Sequence, residues 1–447
     1  MYFLFNITLI ITAIIVLLFT KSSCLCAAAE SESLHDDFVN KASLTYKRIV
    51  PCLKARSDAV PLGFVWDNMK FPDDAIDHYR DLLARTLMYR TGVEPHKYTG
   101  YSDDWIENRF IKKFSRLRLD QFGGFIPIFV QWTDIHVHHF MKETTTKPTT
   151  STNSPNSTTF LTLHQTILSM LRPTVLYVAV TQDDEGLFQL SKLAPNILSI
   201  SGGGYGNIPI PLIKGEIPHH PINVPALGDV ISYEVIPKKS DDDRNNNPAD
   251  DTDGRKYAAE NMTVNATTTA WSQYISFVGN PRPGLSRSKL LKDLSNVLNH
   301  QRHGRSNMRL TFYSGKAWIH KISSTMFNLA PRGFGRTSFR LAEVIQMGRI
   351  PVYMYDDVPW IPYAGTEISL QHFGYILGPK DYQNMAKTFQ SDAQNVTELR
   401  RKLLQVMNIR RHYTYEGVLS QLEMFFTDPF GESGGHLRCN KLPSRSH

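Results

Sequence analysis

Cysteine is scarce in this chain, with four in 447 residues. None forms a C-x-x-C pair and none stands at ligand spacing from a histidine, which excludes a zinc finger or ribbon. Despite a formal charge of +7, no long Lys/Arg block occurs, so no nucleic-acid partner is expected. The basic glycine-containing loop at Gly333, Gly335 and Ser338 lacks the lysine of a P-loop. It also lacks the third glycine of a dinucleotide fingerprint. The aspartates between Lys238 and Lys256 lack the D-x-D-x-D-G spacing of a calcium loop, and the stretch reads as a solvated insertion. What remains is 41% hydrophobic, enough for real cores, in a length that suits two α/β domains.

One long hydrophobic run is present, Phe3 to Phe19, uncharged and near the short limit for a membrane span. It reads as a signal-anchor (1–22) or as a signal peptide cleaved near Ala27 to Ala29, and either sends the chain into the secretory pathway. Cys24 and Cys26 stand beside it, in a short stem (23–44). Cys52 and Cys439 lie at opposite ends of the remainder, and both pairing and free thiols are open readings in an oxidising compartment. Asn156, Asn261, Asn265 and Asn395 begin glycosylation sequons. A Ser/Thr/Pro tract, Thr144 to Thr159, is unable to form a core and reads as an insertion in a first domain spanning 45–225. A second domain is expected over 226–430, interrupted by 238–256, with an irregular tail over 431–447.

In the first domain, apolar runs at Phe125 to Trp132, Val175 to Val180 and Asn196 to Ser201 read as buried strands. They end in Asp134 and His136, in Asp183 to Glu185, and in Gly202 to Gly204. Strand ends are where open α/β sheets bind ligands, so Asp134 and Asp183 are the candidate proton acceptors. His136, His138 and His139 read as turn histidines, because no carboxylate or cysteine completes a metal set.

The richest stretch is Met326 to Tyr363. An apolar strand breaks at Pro331 into the basic loop, Thr337 or Ser338 offers an N-cap, a helix runs to about Met347, and Gly348 ends it. IPVYMY follows as a buried strand. Arg332 and Arg336 flank Gly333 and Gly335. With the free N–H groups of the helix start, they suit a diphosphate. Arg340, Glu343 and Gln346 form a polar stripe on the helix, and a carboxylate there suits the hydroxyls of a ribose. The competing reading is a basic surface loop with Arg340 and Glu343 as an intrahelical pair.

Pro331, Arg332, Gly333, Ser338, Phe339, Arg340, Glu343, Gly348, Ile350, Pro351, Val352, Asp356, Asp357, Trp360 and Pro362 together resemble the nucleotide-sugar half of the exostosin-like glycosyltransferases. The likeness is to the plant and algal, xyloglucan galactosyltransferase-like branch. FIPIFVQWTDIH, IPIPLIKGE and YISFVGNPRP look related but diverge more. The resemblance implies a GT-B fold, with two Rossmann-like domains facing a central cleft, and inverting transfer from a UDP-sugar to a polysaccharide or glycoprotein glycan. It implies a single-pass type II Golgi membrane protein with its catalytic part in the lumen, and hetero- or homo-oligomers with other glycosyltransferases. Arg332, Gly333, Arg336, Ser338, Arg340, Glu343 and Arg282 would hold the donor. Asp134, or behind it Asp183, would take the acceptor proton, with no cofactor or metal ion required. Asp356 and Asp357 lack the spacing of a D-x-D metal site and read as loop caps. The alternative is an inactive exostosin-like partner that binds or stabilises another glycosyltransferase.

Overall fold

The computed structural model describes residues 39–55, 64–91, 104–137, 157–184, 187–217, 274–281, 285–301, 309–323 and 325–440. The hydrophobic run, most of the stem, the second insertion and most of the first lie outside them, and residues 39–44 of the expected stem are helical. Among the described residues, no helix is long and apolar enough to cross a membrane.

In chain order the elements are α1 (39–54), α2 (Ala75–Arg85), α3 (Ile106–Phe114), β1 (Ile126–Pro127), α4 (132–137), α5 (Ser157–Met170), β2 (Tyr177–Thr181), α6 (Phe188–Leu193), β3 (Ile197–Ser201) and β4 (Ile208–Pro209). They continue with β5 (Tyr274–Val278), α7 (Leu285–Gln301), β6 (Arg309–Tyr313), α8 (Trp318–Ser323), β7 (Phe327–Pro331), α9 (Phe339–Gln346) and β8 (Ile350–Met354). The last are β9 (Tyr375–Leu377), α10 (Tyr382–Gln394), α11 (Val396–Ile409) and α12 (Tyr415–Thr427). Alternation of strand and helix produces parallel sheets, as expected when each crossover must pack a helix back onto the sheet.

The chain divides into two compact units. The first takes the residues up to Pro211, then Trp360–Thr366, then everything from Tyr415. Its sheet is parallel, in the order β1-β2-β3-β4. The expected strand over Phe125 to Trp132 is shorter than its hydrophobicity suggests. The segment is buried throughout, but only its first residues pair with β2. Past Ile128, whose amide still reaches the Val178 carbonyl, the Gln131 amide turns to Tyr89, and α4 begins. Residues 128–131 are buried without regular structure, and only Trp132 of the run enters α4.

The expectation that the second domain runs to residue 430 is corrected by α12. Phe425 and Phe426 pack among Phe110, Phe114, Phe122 and Phe125 of the first unit. Aromatic packing of this extent outweighs chain continuity in deciding which core a helix joins. The segment after α12 is irregular, as expected, yet packed: Leu437 is buried and the Asn440 amide donates to the Asn207 carbonyl at 2.9 Å. Arg48 on α1 pairs with Asp428 at 2.7 Å. Cys52 and Cys439, 387 residues apart, form a disulfide with Cα atoms 5.7 Å apart, well within bridging range.

The second unit comprises Leu212–Pro359 and Glu367–Thr414. Its five strands are parallel in the order β6-β5-β7-β8-β9. One face buries Ile275, Phe277, Phe327, Leu329 and Val352 against Leu290 and Leu294 of α7 and Phe389 of α10. On the other, Val278 packs with Ile322 of α8 and with Val344 and Met347. Burial of each such side chain stabilises the unit by roughly 1.5–3 kcal/mol. The chain leaves β5 for β6 at one edge, then returns to β7 and builds toward the other edge. The reversal places a topological switch point between β5 and β7, where the two following loops diverge.

The disulfide joins α1 to the packed tail and constrains almost the whole unfolded chain. Reduction, or Cys52→Ser, is expected to lower stability by about 2–5 kcal/mol, read as a fall in melting temperature with reductant. An unchanged melt would contradict this role.

Candidate functional site

The loop between β7 and α9 sits on the carboxyl side of the switch point. The Arg332 amide extends the ladder to the Met354 carbonyl at 3.0 Å, and the Gly333 amide closes the loop onto the Thr337 carbonyl at 2.7 Å. Ser338 is the N-cap of α9, its side chain accepting from the Arg340 amide. At the other end the Gly348 and Arg349 amides donate to Ile345 and Val344. With Gly348 at φ 67°, this is a Schellman closure. Sequence caps and observed caps agree because both depend on neighbouring residues only.

The arginines are held differently from the expectation. Arg332 is largely buried and its guanidinium faces inward. Nη1 donates to Asp356 at 2.6 Å and to Asp357 at 3.1 Å, Nε to the Gly335 carbonyl at 3.1 Å, and Nη2 to the Phe334 carbonyl at 3.2 Å. It therefore shapes the loop and does not present an open fork. Arg336 donates from Nε to the second oxygen of Asp357 at 2.8 Å, and its backbone carbonyl accepts from the buried Tyr353 hydroxyl. Asp356 and Asp357 are thus loop-shaping groups.

On α9, Arg340 and Glu343 make an ion pair at 2.8 Å, with the Trp318 ring 4.9 Å from the guanidinium carbon. Burial lowers the Arg340 pKa and the Glu343 carboxylate opposes that shift. Gln346, third of the stripe, is engaged by backbone: it donates to the Tyr413 carbonyl at 2.8 Å and accepts from the Ile217 amide at 3.0 Å. Its part is structural. Thr337 is buried and its hydroxyl has no hydrogen-bond partner among the described residues. It is a polar group at the helix start that a bound anion would satisfy.

Arg282 lies outside the described residues. The arginine that does reach the switch point is Arg287, which the sequence reading missed. From the first turn of α7 its Nε donates to the Arg332 carbonyl at 3.0 Å and its Nη1 to the Asn280 carbonyl at 3.4 Å. It ties the loop after β5 to the loop after β7. A Cβ on Gly333 would come within 3.2 Å of its Nη2, so glycine there permits the approach. A signal existed: a cation in the first turn of a helix opposes the macrodipole and needs a local partner.

In the first unit, Asp134 is fully buried. Its two oxygens accept from the Trp105 indole at 2.6 Å and the Asn108 amide at 2.7 Å. It anchors α3, and the expectation that it presents a carboxylate to substrate is corrected on that ground. Asp183 is also buried, its carboxylate 3.4 Å from Nδ1 of the half-buried His136. Gly203 of the glycine-rich turn lies directly over it, since a Cβ there would coincide with the Asp183 carbonyl. Among the described residues, no cluster of three or more His, Cys, Asp or Glu is arranged to hold a metal ion.

No family model matches the chain, and no curated protein matches it. Among solved structures it is similar to TarM, at TM-score 0.25 and 12% identity over 35% of this chain and 35% of that one. It is also similar to a mutant of S. aureus TarM in complex with Fondaparinux, alpha-GlcNAc-glycerol and UDP, at TM-score 0.26 and 11% identity over 34% of this chain and 35% of that one. The chain thus spans about a third of the length of the structures it matches.

Glu107 was not anticipated either. Fully buried, it accepts the Thr133 amide at 2.8 Å and the Gln182 amide at 3.0 Å, tying α3 to the start of α4 and the end of β2. Burial pushes its carboxyl from 4.5 up to about 7. A folded pKa above the unfolded one means stability present below about 4.5 is lost as pH rises through about 7. Glu107→Gln replaces one acceptor oxygen by a donor, so it should melt lower at pH 5. It should also remove a pH-dependent loss on the order of 2–3 kcal/mol. Parallel pH–melting curves for the two proteins would contradict the assignment.

Proposed function

We propose that the chain is an inverting glycosyltransferase of exostosin-like type, transferring a sugar from a UDP-sugar to a polysaccharide or glycoprotein glycan. The observation that carries the reading is the β7–loop–α9 unit at the switch point of the five-stranded parallel sheet. It combines a capped helix start, the buried unsatisfied Thr337 hydroxyl, and Arg287, Arg336 and Arg340 around one loop. Cationic groups and helix N–H donors of this kind stabilise a departing diphosphate, and no metal ion is required in the proposal. The Arg340–Glu343 pair places a carboxylate for ribose hydroxyls. The motif residues from Pro331 to Pro362 support the family assignment.

Of the two carboxylates expected to take the acceptor proton, we assign the role to Asp183, whose carboxylate lies 3.4 Å from Nδ1 of His136. Residence in the Golgi membrane as a type II protein, with the catalytic part lumenal, is proposed from the apolar run at Phe3 to Phe19. The Cys52–Cys439 disulfide supports an oxidising compartment. The rival, an inactive exostosin-like partner, has one observation in its favour: Arg332 is engaged by carboxylates and carbonyls.

A thermal-shift titration of the folded chain with UDP, GDP, ADP and CMP, with and without EDTA, separates these readings. Binding to the native state alone must raise stability. The enzyme reading expects a UDP-selective rise that EDTA leaves unchanged. No rise with any nucleotide favours the inactive partner. Asp183→Asn should lower turnover by about 10²–10⁴-fold while leaving UDP affinity within about twofold. Loss of UDP affinity in that variant would sink the assignment.

A further inference from the structure

We infer that Asp357 is a built-in anion that competes with the donor diphosphate for the cationic loop. The inference rests on the donor-site reading above and deepens it by naming what sets the affinity.

The adjacent carboxylates Asp356 and Asp357 follow β8 and address the same guanidinium. Asp356 makes the shorter contact to Arg332, 2.6 Å, and its side chain is 27% exposed. Asp357 is the outer member, 38% exposed. One oxygen lies 3.1 Å from Arg332 and the other 2.8 Å from Arg336, so a single carboxylate spans two arginines. A phosphate uses the same fork geometry, with two oxygens of one group on neighbouring N–H donors. Asp357 therefore stands where a phosphoryl group would be received.

The two aspartates divide the work by burial. Arg332 is 10% exposed as a side chain. Loss of its main partner would leave a buried cation with less compensation, which is strongly destabilising. Asp356 is accordingly structural. The Arg336–Asp357 contact joins a side chain 14% exposed to one 38% exposed, so the carboxylate is the member that can turn toward solvent. Phe334 and Gly335 carbonyls and Asp356 keep Arg332 in place when Asp357 moves, and the Tyr353 hydroxyl keeps the Arg336 backbone in place. Only one carboxylate needs to turn outward for the loop to gain an anion.

The balance of charge points the same way. Arg287, Arg332, Arg336 and Arg340 converge here with Asp356, Asp357 and Glu343. Asp293 and Asp381, which act together with Asp356 on Tyr382, add further negative charge beside the loop. A singly charged anion gains little by displacing Asp357, whereas a diphosphate replaces it with more charge. The device discriminates against weakly charged anions and sets a modest resting affinity for the donor.

The test is isothermal titration of the chain with UDP at low ionic strength, where such contacts are least screened. Wild type, Asp357→Asn, Asp357→Ser and Asp356→Asn are compared, each with a melting curve. Both Asp357 variants should bind UDP about three- to tenfold more tightly than wild type, and should melt higher than Asp356→Asn. Asp356→Asn should melt lower. Adding Arg336→Gln to Asp357→Asn should cancel the gain, since the freed arginine is its source. UDP affinity unchanged or weakened in both Asp357 variants, with wild type binding, overturns the inference and leaves the donor reading intact. No UDP binding by wild type or variants overturns both.

Discussion

The Arg332 guanidinium is the constraint on which the second unit's loop depends. A cation this far from solvent is tolerated only when its donors are met. Here they are met by Asp356, Asp357 and the Phe334 and Gly335 carbonyls. The arginine draws a five-residue excursion of backbone around itself and ties it to the turn after β8. That fixes where α9 starts, and so where its N–H groups and the Thr337 hydroxyl lie. The arginine expected to hold a phosphate is instead the scaffold of the loop.

Sheet topology supplies the second requirement. Because the order is β6-β5-β7-β8-β9, the loops after β5 and β7 separate, and a ligand can lie between them. Divergent loops need a tie, and Arg287 provides it by donating to a carbonyl of each. Gly333 is small enough to let that guanidinium approach. Strand order, glycine and arginine thus converge on one edge for separate physical reasons.

How much was legible in the sequence depended on the range of the interaction. Ser338 and Gly348 cap α9 through bonds within a few residues, and both caps are plain from the sequence. The parallel α/β character follows from local patterning too. What was hidden depends on distant partners. Asp134 looks like any strand-end carboxylate until Trp105 and Asn108, 29 and 26 residues earlier, are brought to it. Arg332 meets carboxylates 24 and 25 residues later. Phe425 and Phe426 reveal their core only when Phe110 and Phe125 arrive. FIPIFVQW misled because apolarity predicts burial and leaves the extent of the strand to partners such as Tyr89, whose carbonyl takes the Gln131 amide.

The most direct test of the central claim is amide hydrogen exchange of the whole chain with and without saturating UDP. The account predicts slowed exchange in the peptides covering 279–288 and 332–342, the two loops tied by Arg287 and the start of α9. Peptides through the core of β7 and β8 should exchange alike in both states. Protection confined to the first unit, or absent from both loops while UDP is demonstrably bound, would contradict it.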